Sequence, residues 1–82
     1  MFHVYLLKSS KDDGFYIGCT EDLERRMREH QEGMVDSTKD RRPHVLVYYE
    51  AYLEKESAQL RERNLKEFGS AYSGLLKRLG YK

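Results

Sequence analysis

Phe15-Tyr16-Ile17-Gly18-Cys19-Thr20, followed at once by Glu21-Asp22-Leu23-Glu24-Arg25-Arg26-Met27-Arg28-Glu29-His30, reads as a short strand that stops at a glycine and passes into a helix. Thr20 stands where an N-cap is expected, its hydroxyl placed to accept from an orphan N–H two or three residues on. Glu21, Asp22 and Glu24 fill the first turn beside the positive end of the helix dipole. Arg25, Arg26, Arg28 and His30 follow where positive charge is better tolerated. Leu23, Met27 and His30 make an i, i+4, i+7 stripe that should face the core. Arg26, three after Leu23 and four before His30, flanks that stripe instead of pointing into water. An ion so placed needs a partner or a purpose.

Upstream, Phe2 to Lys8 is apolar, β-branched and aromatic, and reads as a strand. Ser9-Ser10-Lys11-Asp12-Asp13-Gly14 is a turn, with Asp-Gly supplying the positive φ of a tight hairpin. Phe15 to Cys19 is the return strand. Tyr5 and Tyr16 share a face if paired positions sum to an odd number, and the six-residue turn leaves that register open.

Downstream, the first helix should run from about Glu21 to Glu32 and stop at Gly33, an αL C-cap. Met34 to His44 is a polar, irregular loop closed by Pro43, which pushes its predecessor toward extended geometry. Val45 to Glu50 is the third strand, and its continuous apolar run suggests a central, two-sided position. A second helix begins near Leu53 to Lys55 and ends by Phe68. Its apolar face of Ala58, Leu65 and Phe68 also carries Arg61 and Glu62, while Leu60 falls off the stripe. The last helix, roughly 70–79, presents Tyr72, Leu75, Leu76 and Leu79. Gly74 inside it costs about 1 kcal/mol against alanine. The order β-β-α-β-α-α predicts an α+β fold, a three-stranded, mainly antiparallel sheet flanked by helices.

With 82 residues, 39% hydrophobic and 35% charged, the chain is expected to form one small domain over 1–82. Seven tyrosines and no tryptophan mean that some phenol hydroxyls must find polar partners. A net charge of +1 makes no bulk case for nucleic acid, so any such case rests on where the arginines cluster. The single cysteine, Cys19, excludes an internal disulfide and a Cys-rich zinc site, and fits a reducing cytosol. The opening Met1 to Leu7 is too short for a signal h-region, and no apolar run reaches the ~20 residues of a membrane span. The expectation is a cytoplasmic protein without a membrane partner.

Arg26 and Glu62 lie on the inner faces of two different helices, and two readings are open. In one they pair with each other, or the Arg26 stem snorkels to water. In the other they line a cleft where Glu62 holds a hard cation through oxygen and Arg26 stabilises an oxyanion. Tyr5 and Tyr16 then stand alongside as proton carriers or donors, a set that suits a phosphodiester and Mg²⁺. Arg25, Lys39, Arg41 and Arg42 concentrate positive charge between residues 25 and 42, either as a phosphate-contacting patch or as a solvated loop and helix face. His3, His30 and His44 are spaced too irregularly for zinc. By residue type His30 suits a hydrogen-bonded core position, and Cys19 a small strand residue.

His3-Val4-Tyr5, then Tyr16-Ile17-Gly18, then Asp22-Leu23-Glu24-Arg25-Arg26 with His30, resembles the GIY-YIG nuclease domain. Ser37-Thr38-Lys39, Arg41-Arg42-Pro43, Leu46-Val47-Tyr48-Tyr49-Glu50, Ala58, Arg61-Glu62 and Leu65-Lys66 are similar to its small stand-alone bacterial members. The resemblance covers nearly the whole chain. It implies metal-dependent cleavage of DNA phosphodiester bonds in repair or processing, with structure rather than sequence as the substrate signal. By resemblance, Tyr5 and Tyr16 face the reacting phosphate, Arg26 contacts it, His30 supports or transfers a proton, and Glu62 binds the divalent cation. Two departures are visible: His3-Val4 replaces Gly-Ile, and no asparagine follows Phe68. The alternative is a nucleic-acid-binding or protein-interaction module that keeps the fold without turnover. Near-neutral charge also suits a protein partner that delivers the chain to DNA.

Overall fold

A computed structural model describes residues 1–82. The elements are β1 (Phe2–Ser9), β2 (Phe15–Thr20), α1 (Leu23–Gln31), a 3-10 turn (Lys39–Arg41), β3 (His44–Tyr52), α2 (Lys55–Glu67) and α3 (Gly69–Leu79). The antiparallel sheet has the order β2-β1-β3. The α+β fold and the β-β-α-β-α-α order expected from the sequence are therefore present.

The central strand is β1, not β3 as the apolar run had suggested. Val4, Tyr5, Leu6 and Leu7 are each 1% exposed, because both faces of β1 are covered and both edges are paired. The apolar residues of β3 lie on an edge, where Val45 and Tyr49 stay more than half exposed. An apolar run tells strand from loop, but not an edge strand with exposed aromatics from a central one.

Register fixes the two faces. Tyr5 pairs with Gly18 and Leu7 with Tyr16, so Tyr5 and Tyr16 lie diagonally on one face. Val4, Leu6 and Ile17 project to the other, where they form the core with Ala58, Leu65, Leu75 and Leu76 of α2 and α3. Between Leu6, opposite Tyr48, and Leu7, opposite Leu46, β3 carries an extra residue, a bulge at Val47.

The local stop signals differ in detail from expectation. Asp22, not Thr20, caps α1: its carboxylate accepts from Arg25 N at 3.0 Å. Thr20 instead accepts from Asp22 N at 3.1 Å, in a turn one step earlier. Gly33 closes α1 at φ 76, with Met34 N donating to Glu29 O at 3.0 Å and Gly33 N to His30 O at 3.2 Å, a Schellman arrangement. In the hairpin the positive φ falls on Asp13, at 61°. Phe68 leaves the α2 stripe and is 56% exposed. It sits between α2 and α3 in extended geometry, at φ −114 and ψ 106, so helical spacing no longer sets its direction.

The segment between α1 and β3 is more ordered than a polar loop suggests. The Ser9 hydroxyl donates to Arg41 O at 2.6 Å, and Arg41 Nε reaches Asp12 Oδ2 at 2.9 Å. The segment is thus clipped to the hairpin turn. Arg42 Nε donates to Lys39 O at 2.8 Å, and the guanidinium lies over Gly33. Val35 and Thr38 are buried by this folding-back.

Candidate functional site

The site is built on the face of the sheet opposite the main core. Tyr5 reaches across Gly18, which has no side chain to block it: a Cβ at Gly18 would lie 2.9 Å from the Tyr5 Cε1 and closer still to Cζ and the hydroxyl. This close approach requires glycine at position 18. The Tyr5 and Tyr16 rings are 6.3 Å apart, and His30 from α1 stands edge-on to both, at 5.7 Å and 5.2 Å. His30 is on the buried stripe of α1, as its spacing predicts, and is 1% exposed.

Hydrogen bonds join the cluster. The Tyr5 hydroxyl meets His30 Nε2 at 2.8 Å, and His30 Nδ1 meets Thr38 Oγ1 at 2.8 Å. Thr38 donates in turn to the carbonyl of Val35, at 3.4 Å. Arg26 extends from α1 alongside the Tyr5 hydroxyl, with its side chain 35% exposed. Its Nη1 donates to Glu29 Oε1 at 3.0 Å.

These surroundings shift the acid–base groups in opposite directions. Burial pushes the Tyr5 phenol up to about 12, with Tyr16 and Glu62 adding to the rise and Arg26 pulling against it. Burial pushes His30 down to about 4, and the positive charge of Arg26 and the nearby His44 act the same way. At neutral pH the cluster therefore holds a neutral phenol and a neutral imidazole beneath a charged guanidinium.

Glu62 enters from α2 at the β2 edge. It lines a cleft of about 220 Å³ with Phe2, Cys19, Thr20, Glu21, Lys55 and Gln59. Its negative charge makes a small contribution to the rise of the Tyr5 phenol. Glu62 and Arg26 do not pair: Glu62 Oε2 is 3.1 Å from Lys66 Nζ, one helical turn on, and Arg26 is taken by Glu29. The direct salt bridge that was one of the two open readings is thus absent. No three His, Cys, Asp or Glu side chains converge. That donor set does not fit a dedicated protein cage for zinc or calcium. It does fit a cation such as Mg²⁺, which keeps several waters and takes one or two carboxylates plus substrate phosphate oxygens.

The basic residues divide into two kinds. Arg25 and Lys39 are well exposed, loosely paired with Glu29 at 3.9 Å and Asp36 at 3.6 Å. Arg41 and Arg42 are bound into the segment before β3, Arg41 by Asp12 and Arg42 by main-chain carbonyls. Arg41 in turn holds the Asp12 carboxyl down, to about 2.

Two features escaped sequence reasoning. Thr38 is fully buried against His30, yet no periodicity marks a threonine in a polar stretch. The second is a polar cluster on β3. Glu50 accepts from Tyr48 at 2.6 Å, from Tyr52, and from Arg61 Nε at 3.1 Å, while Arg78 donates to Tyr48 at 2.8 Å. Burial pushes the Glu50 carboxyl up, but these donors outweigh it and leave it below the ordinary range. Nothing in the local sequence sets Tyr48 and Tyr52 apart from other strand aromatics; the tyrosine-rich composition is the available signal.

Comparison with known proteins gives a consistent picture. The family model described as the GIY-YIG catalytic domain matches residues 1–73. A UPF0213 protein of Clostridium perfringens is 41% identical over 68 residues, covering 82% of this chain and 72% of that protein. One from Staphylococcus haemolyticus is 42% identical over 67 residues, covering 80% of each. The solution NMR structure of a UPF0213 protein from Bacillus halodurans superposes with a TM-score of 0.60 at 32% identity, over 96% of this chain and 85% of that one.

Proposed function

The chain belongs to the GIY-YIG catalytic-domain family, among the UPF0213 proteins, and from that premise we propose that it is an endonuclease cleaving DNA phosphodiester bonds with a divalent cation. The observation that carries this reading is a charged guanidinium beside two phenols and a histidine, with a cleft at the same strand edge lined by two carboxylates, Glu62 and Glu21.

In this reading Arg26 contacts the non-bridging phosphate oxygens and stabilises the charge that develops on them. Tyr16, the more exposed phenol, orients the attacking water or accepts its proton. Tyr5 is sealed beneath the surface, and with His30 it holds Arg26 and Tyr16 in place. Glu62 holds the cation, which supplies charge neutralisation at the phosphate when bound. Arg25, Lys39, Arg41 and Arg42 form a basic rim for backbone contacts, which position DNA without reading its sequence. The outermost pair, Arg25 and Lys39, meets phosphate first. Structure-directed cutting in DNA repair or processing fits this rim. A protein that delivers the chain to DNA fits its net charge of +1.

The test is nicking of labelled duplex, fork and flap DNA in Mg²⁺, lost on chelation and lost in Glu62→Ala and Arg26→Ala. Wild type as inert as Glu62→Ala on every substrate, with metal present, overturns the enzyme reading. Salt-sensitive binding without cleavage then assigns the chain as a nucleic-acid-binding module.

A further inference from the structure

We propose that Thr38 is a positioning residue that locks His30 as its Nδ1–H tautomer, so that a one-way chain of hydrogen bonds runs from the Tyr5 hydroxyl to the Val35 carbonyl. The functional part of this inference rests on the nuclease reading above; the tautomer part does not.

The polarity of the chain follows from its two ends. A guanidinium can only donate, so the positive charge of Arg26 near the Tyr5 hydroxyl favours a phenol proton turned away from it. A carbonyl can only accept, so where Thr38 Oγ1 meets Val35 O at 3.4 Å, the threonine proton is the one shared. Two groups lie between these ends. Tyr5 is 1% exposed and its hydroxyl proton needs an acceptor; Arg26 cannot be one, and His30 Nε2 stands 2.8 Å away. Nε2 must then be bare. At the far nitrogen, Thr38 has committed its proton to Val35, so its oxygen at 2.8 Å can only receive from Nδ1. Nδ1 must then carry the hydrogen. The two arguments start from opposite ends and assign the same tautomer. His44, the other histidine near the ring at 6.4 Å, makes no hydrogen bond to it.

The consequence is a choice between two states of Tyr5. With Nδ1–H, the Tyr5 proton points inward to His30 and its lone pairs are left to the positive charge of Arg26. With Nε2–H, the imidazole would donate to Tyr5, and the phenol proton would be turned toward a guanidinium that cannot accept it. Thr38 favours the first state through one hydroxyl, and it does so without touching substrate.

The tautomer is read directly from long-range ¹H–¹⁵N correlations of the histidine ring in the ¹⁵N-labelled full chain at pH 7. Wild type and Thr38→Ser should show His30 protonated at Nδ1 and bare at Nε2. Thr38→Val, which keeps the shape and removes the hydroxyl, should lose that preference; Thr38→Ala serves if the valine variant does not fold. In the cleavage assay Thr38→Val should lose roughly 10–100-fold in kcat with little change in KM, the range for groups that orient a histidine, and Thr38→Ser should recover most of it. An Nε2–H or doubly protonated His30 in wild type, or an unchanged Nδ1–H tautomer without the Thr38 hydroxyl, overturns the proposal. The expected spectra from a chain that cuts no DNA uphold the positioning role and remove only the nuclease reading.

Discussion

Gly18→Ala is the smallest change that should undo the site. The added Cβ meets the Tyr5 ring at Cε1, 2.9 Å away, and meets Cζ and the hydroxyl more closely still. Ordinary contacts between carbons begin near ~3.5 Å, so the ring must retreat by roughly 1 Å. Tyr5 is 1% exposed and belongs to the central strand, which leaves it little room. Overpacking of this kind costs about 1–3 kcal/mol. If the ring swings away from His30, the broken bond adds about 1–3 kcal/mol for buried groups left unpaired. Replacing glycine stiffens the unfolded chain and returns about 0.4–1 kcal/mol. These contributions centre on a net loss of about 3 kcal/mol, which lowers the melting temperature of a domain this size by roughly 12–24 °C. Circular-dichroism melts check this against Gly74→Ala, the internal control. Gly74 lies in α3 with nothing within 4 Å of its missing Cβ, so alanine there should stabilise by up to about 1 kcal/mol. Gly18→Ala melting at or above wild type, with the His30 ring signals unmoved, would refute the close-packing argument.

Glu62→Ala should change stability by no more than about 0.5 kcal/mol, because its one ion pair is an i,i+4 contact with a half-exposed lysine. Mg²⁺ should raise the melting point of wild type and not of Glu62→Ala; equal shifts in both would remove Glu62 from the metal site. Stability should also fall with acid through His30. Its folded-state value of about 4 lies below the ordinary 6.5, so between those values the unfolded chain binds the extra proton. This contribution is complete above pH 6.5 and lost as pH falls toward 4, at most about 3 kcal/mol. Urea midpoints across that range should decline less steeply in His30→Gln, and an unchanged slope would count against the shift. Glu50→Ala should cost about 2 kcal/mol by stranding Arg61, Tyr48 and Tyr52, while leaving DNA nicking intact in the folded fraction. A loss of nicking that exceeds the loss of folded protein would tie that cluster to the site.

What the sequence determined by itself was whatever depends on near neighbours. Alternation and helical spacing marked β1, β2, α1 and α3 within a residue or two, placed His30 on a buried stripe, and marked Gly33 as the left-handed stop. Local chemistry misassigned the cap between Thr20 and Asp22, since both are capping types two residues apart. Tertiary structure decided everything that depends on which segments meet. Strand order put β1 at the centre. Register set Tyr5 opposite Gly18, and with it the shared face of the two tyrosines. The folding-back of the segment before β3 buried Thr38 beneath His30, and the separation of Arg26 from Glu62 left the carboxylate facing its own cleft. The physical reason is range. Backbone propensity and side-chain period act within one or two turns of chain, whereas pairing and burial between residues 5, 18, 30, 38 and 62 exist only once the sheet has closed.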